Sequence, residues 1–128
     1  MEFIPGHLYT RREITDSFGG GVQDYLPHKD GRIVCACLTT DHNPDAPEIV
    51  LVGIGPDIKR SAEIFAEQGD YVPTFVKRAP HAWQYKGQYR VRTHSTDREQ
   101  ISRWETVSGR KSDISMLLFL EREASPSP

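Results

Sequence analysis

The chain has 128 residues, 37% of them hydrophobic and 27% charged, with a formal net charge of −2 at pH 7. That length fits one domain able to bury about two-thirds of its unfolded surface, and no run approaches the ~20 consecutive apolar residues that a bilayer span requires. The opening "MEFIPGHLYTRR" has an acid at its second position and no apolar stretch ending in a small-residue cleavage site, so no secretory signal is expected and the cytoplasm is the expected location.

In chain order, the first element is "YTRREITDSF" (9–18). Thr10 caps it, Glu13 follows at capping-box spacing and Gly19 ends it, which predicts a short helix. "GGGVQDYLPHKDG" comes next, with Gly19, Gly20, Gly21, Pro27, Asp30 and Gly31 marking a tight, irregular connection. "RIVCACLTT" (32–40) and "EIVLVGI" (48–54) are rich in β-branched and apolar residues and flank the turn chemistry of "DHNPDAP", so two paired or neighbouring strands are expected. "GPDIKRSAEIFAEQG" starts a helix at Pro56, ends it at Gly69 and sets Ile58, Ala62, Phe65 and Ala66 on one apolar face. "YVPTFVKR", "WQYKGQYRVRT" and "ISMLLFLER" read as strands. "STDREQISRWETVSG" reads as another amphipathic helix, capped by Thr96 and Glu99, with Ile101, Trp104 and Val107 inward. The order α, β, β, α, β, β, α, β describes an α+β domain over residues 1–122. Its core is a curved mixed sheet or pseudo-barrel flanked by two or three helices, and "EASPSP" (123–128) is a disordered tail.

Cys35 and Cys37 stand two apart on a predicted strand, where a disulfide between them would be strained. Buried free thiols are expected. A lone Cys-x-Cys without a second Cys or His pair at ligand spacing does not make a zinc site, and no metal or cofactor is expected.

Charge is segregated along the chain. Tyr71 to Thr96 contains Lys77, Arg78, Lys86, Arg90 and Arg92 and no acid, whereas all 18 acids lie outside it. On a strand, Gln88, Arg90 and Arg92 share one face, with Tyr89 and Val91 inward, and guanidiniums two residues apart can follow a phosphate backbone. Trp83 and Tyr85 also share a face. Rings interleaved with cations can stack nucleobases, at roughly 1–3 kcal/mol each, yet the same pair serves equally as sheet core, and the residues leave both open. A second candidate is Tyr9, Arg11 and Arg12 ahead of the glycine triplet that includes Gly20, with Gln23 and Tyr25 beyond it. Glycine lets backbone amides approach an anion, although the triplet also suits a plain helix end. "GIGPDIKR" lacks the third glycine of a dinucleotide loop and the Gly-Lys-Ser/Thr of a P-loop, so packing is its expected purpose.

No hydrolase or nuclease motif is present, the five histidines are scattered, and no catalytic residue is expected. "GHLYTRREITDSFGGGVQ" resembles the Tyr-x-Arg-x-x-Ile…Gly-Gly…Gln opening of the SRA-like domains of the PUA superfamily that sit beside HNH nucleases in modification-dependent restriction enzymes. "VPTFVKRAPHAWQYKGQYRV" is similar to their strand pair with a Tyr-x-Gly-x-Tyr/Phe segment. The Tyr-Asp-Gly segment typical of SRA domains is missing, and "NPDAPEIVLVGIGP" stands in its place. The resemblance implies a PUA/SRA-like pseudo-barrel that grips DNA and accepts an unusual base or backbone modification in a concave pocket. Tyr9, Arg11, Gly20 and Gln23 would line its DNA-facing side, with Trp83 and Tyr85 nearby. The expected function is therefore a nucleic-acid reader of modified double-stranded DNA, using Lys77, Arg78, Lys86, Arg90 and Arg92 as phosphate contacts, with any cleavage left to a separate nuclease or effector. The alternatives are a small PUA-like hydrolase of a modified nucleoside, centred on Lys77 or Lys86, and a protein-interaction module.

Overall fold

In the computed structural model, which describes residues 1–124, the chain runs β1 (Leu8–Tyr9), α1 (Arg11–Phe18), β2 (His28–Lys29), β3 (Arg32–Ile33), β4 (Ala36–Thr39), β5 (Ile49–Val52), α2 (Pro56–Gln68), β6 (Val72–Ala79), β7 (Ala82–Ser95), α3 (Arg98–Ser108) and β8 (Met116–Arg122). Most of the tail expected over 123–128 lies outside the described residues.

Local chemistry sets the helix ends. Thr10 and Glu13 form the full capping box of α1 and Gly19 ends it. Pro56 occupies the first turn of α2, where its missing N–H is harmless, and Gly69 closes that helix in the left-handed region. For α3 the expected cap is displaced by one residue. Asp97, not Thr96, accepts from Gln100 N, because a carboxylate at that position reaches the first-turn amides and suits the helix dipole.

Five strands form a curled, mixed half-barrel sheet in the order β4-β6-β7-β8-β5, and β1 pairs with the start of β7. The two strands flanking "DHNPDAP" are thus not neighbours, as the sequence suggested; they are the opposite edges of the sheet. The stretch 32–40 is also not one strand. At Val34 and Cys37 the backbone N–H groups bond to Pro27 O and Tyr25 O of the preceding loop, which splits the run into β3 and β4. β2 and β3 form a small hairpin whose two turn residues, Asp30 and Gly31, both have positive φ, the type I′ geometry.

Alternation along the strands gives the sheet two buried faces. Ala36 and Leu38 of β4, Val50 and Val52 of β5, and Leu118 and Leu120 of β8 pack with Ala62 and Phe65 of α2. On the opposite face, Cys35, Cys37, Phe75, Trp83 and Tyr85 pack with Ile14 of α1, while Leu51 and Leu117 pack with Ile101 of α3. Ile58 and Val107, both expected inward, are 41% and 65% exposed; they stand in the first turn of α2 and the last turn of α3. Both cysteines are buried and free.

Two bulges re-aim β7. Thr74 pairs with Gly87 but Phe75 with Tyr85, leaving Lys86 as an extra residue; Val91 and Thr93 face consecutive residues of β8, leaving Arg92 as another. Trp83 and Tyr85 therefore join the α1-side core, whereas Tyr89 joins the α2-side core although all three are odd-numbered.

Candidate nucleic-acid interface

The two sheet edges are laced together by side chains where β4 and β5 end. Asn43 is buried, accepts from Leu51 N at 2.8 Å and donates to Thr39 O at 3.3 Å, so one amide bridges both edges. Arg110, delivered by the loop after α3, donates to His42 O (2.8 Å) and Leu51 O (2.9 Å) and pairs with Asp113 (3.1 Å). Its side chain is only 12% exposed, so carbonyls and a carboxylate must replace the lost water.

Above this lacing opens a cleft of about 640 Å³. One wall is Trp83, Lys77 and Arg11; another is the loop Val22, Gln23, Asp24 and Tyr25; the third is Gly53, Ile54, Gly55 and Ile58 at the start of α2. Arg11 opens α1, where a cation opposes the helix dipole. It is held by donating to Gly21 O (2.9 Å) and Asp24 O (2.6 Å), and its guanidinium lies 5.2 Å from the centre of the Trp83 ring. Arg11 Nε is buried without a partner. The Lys77 ammonium lies 5.8 Å from the same ring, and each such contact is worth roughly 0.5–2 kcal/mol. Tyr25 donates from its hydroxyl to Ile58 O at 2.6 Å, and burial holds its phenol well above the ordinary tyrosine range. Cys37 also lines the cleft, and the buried Cys35 thiol is pulled below the usual range, mainly by the neighbouring Cys37 and more weakly by the Arg11 charge, against the opposing effect of burial. Among the described residues no group of three or more His, Cys, Asp or Glu side chains could hold a metal ion, and no helix is long and apolar enough to cross a membrane.

The profile of one protein family, a domain of unknown function designated DUF6697, matches residues 8–115. The chain belongs to that family. No curated protein matches this DUF6697 domain in sequence. In structure it is similar to the SRA domain of SUVH5 in complex with hemimethylated CG DNA (TM-score 0.63, 11% identity, covering 99% of this chain and 91% of that one). It is also similar to KRYPTONITE in complex with mCHG DNA and SAH (0.65, 10%, 98% and 33%) and to the Type IV phosphorothioation-dependent restriction endonuclease ScoMcrA (0.58, 17%, 98% and 29%). The DUF6697 domain thus has the SRA-like fold, and it spans about a third of the KRYPTONITE and ScoMcrA chains.

Of the residues the sequence singled out, Arg11, Gln23, Tyr25, Lys77 and Trp83 come together on the cleft. The others lie elsewhere. Tyr9 accepts from Ile4 N with its ring edge against Phe3, Arg12 is exposed beside Asp16, and Gly20 packs on Pro27 and His28. Arg78 donates to Gln84, and Tyr85 sits among Phe3 and Phe75. Lys86 borders a separate polar hollow with Glu48, Tyr89 and Arg122. Arg90 is paired with Glu121 at 2.7 Å and stacked on Tyr71, and Arg92 is the exposed bulge residue. Thr39, His42, Asn43, Asp24, Gly53 to Gly55, Arg110 and Asp113 also form the cleft and were not expected there. The only sequence signal for any of them was Gly53-x-Gly55; Arg110 lies some sixty residues from the carbonyls it holds.

Proposed function

We propose that this DUF6697 domain reads modified DNA by receiving the modified nucleotide in the cleft beneath Arg11, Lys77 and Tyr25. The observation that carries the reading is the convergence of a cation-flanked, ring-walled cleft with an SRA-like half-barrel. The cleft volume falls within the ~300–1,000 Å³ typical of ligand sites, and neighbours of the same fold are complexes with methylated DNA. Lys77 and Arg11 meet the phosphates and Tyr25 offers a fixed ring to the base. Residues 1–122 are the reading unit; it acts in the cytoplasm and leaves any cleavage to a separate nuclease or effector.

A second reading places the modification on the backbone. Val22, Ile54 and Ile58 rim the cleft and are 57%, 58% and 41% exposed, an aliphatic lip that suits the weakly hydrated sulfur of a phosphorothioate, the modification on which ScoMcrA depends. Fluorescence anisotropy with duplexes carrying 5-methylcytosine, a single phosphorothioate linkage or neither decides between the two. One modified duplex is expected to bind at least about tenfold more tightly than the plain one, within the range of a single lost base-pair contact. Equal binding of all three overturns both readings.

A further inference from the structure

The cleft adjoins a second hollow of about 490 Å³, with which it shares Asp24, Tyr25 and Ile58. Because the Tyr25 hydroxyl is bonded to Ile58 O, the ring ties the loop to α2 and stands as a fixed partition between the two spaces. The wall of the second hollow is a single stripe of α2. Asp57, Arg60, Ser61 and Ile64 follow one another at i, i+3, i+4 and i+7, and therefore share a helix face. At ~1.5 Å per residue that stripe is about 10 Å long, room for one further base beside the first. His28 and Gly31 of the β2–β3 hairpin border it as well.

Asp57 and Arg60, one turn apart, carry opposite charges, yet neither takes part in any of the ion pairs among the described residues. A carboxylate and a guanidinium left unpaired in one hollow offer an acceptor pair and a donor fork together.

The geometry points to this hollow as a subsite for the base next to the modified nucleotide, with guanine as the base it fits. The inference rests on the reading of the cleft given above. Swung out of its pair, guanine presents N–H donors on N1 and N2 for a carboxylate and O6 and N7 acceptors for a guanidinium. Adenine and the pyrimidines each lack part of that pattern.

The test uses whichever modified duplex binds more tightly, 5-methylcytosine or phosphorothioate, with each of the four bases placed in turn 5′ and 3′ of the modification. Wild type is expected to bind a guanine neighbour on one side about tenfold more tightly than the others, the scale of one bidentate base contact. Arg60→Ala, at an exposed helix position, and Ser61→Trp, which fills the hollow, are each expected to shrink that preference to within about twofold. Both should keep the ratio of modified to plain binding. A wild type indifferent to the neighbour, or an Arg60→Ala variant that keeps the full preference, overturns the subsite while the cleft reading stands. A wild type that does not distinguish modified from plain duplex overturns the cleft reading, and the subsite with it.

Discussion

Gly20 and Gly87 both have positive φ, +81° and +112°, but the surroundings differ in how far they can yield. A Cβ on Gly20 would meet Pro27 Cβ at 2.7 Å and the His28 backbone at 3.1 Å, atoms held by the start of a hairpin. On Gly87 it would meet the Arg122 guanidinium, the far end of a flexible side chain. Gly87→Ala is therefore expected to lose only the backbone strain, about 1–3 kcal/mol, and Gly20→Ala more, as read from denaturant midpoints at constant slope. Tyr25 supports a pH prediction. Burial raises its phenol above the ordinary value near 10, so the unfolded chain ionises first as pH rises. Its contribution is complete below about pH 10 and lost as pH climbs toward the folded value. Tyr25→Phe should lose roughly 1 kcal/mol at neutral pH with the bond to Ile58 O, and show a shallower alkaline decline. An equally steep decline in the variant would remove Tyr25 from the account, although buried Tyr85 and Tyr89 are shifted in the same direction.

Helices were the most legible elements. Capping chemistry is local, so Thr10, Glu13 and Gly19 marked α1 without knowledge of anything it packs against. The same reasoning slipped by one residue at α3, where Thr96 and Asp97 are both competent caps and only the path of the chain out of β7 selects between them. Asp97→Ala is expected to destabilise the fold by about 1 kcal/mol and Thr96→Ala by a few tenths or less, measured by thermal or denaturant unfolding. Strands were less legible. Their period of two reports a face only while pairing is unbroken, and the extra residues Lys86 and Arg92 each reset it. The split of 32–40 arose differently: backbone bonds from Val34 and Cys37 to Pro27 and Tyr25 of the preceding loop competed with the sheet.

At the scale of the whole molecule, the cations of the acid-free window do not gather on the cleft. Of the window's five cations only Lys77 borders the cleft; Arg90 is paired with Glu121 of β8, and Arg78 is bonded to Gln84. Removing one phosphate contact lowers the slope of log K against log[salt] by about 0.9 on duplex DNA. Lys77→Ala is expected to produce a change of that size and Arg92→Ala none; equal changes in both would restore the window as the binding face.

Length, periodicity and capping residues determined by themselves an α+β chain with three helices, the strand-rich stretches between them and a set of cations without nearby acids, because each of these depends on interactions within a few residues. Only the tertiary structure decided which of those cations share a cleft. That outcome rests on strand order, on two bulges and on an arginine sixty residues from the carbonyls it binds, and pairing over such distances leaves no periodic trace in the chain.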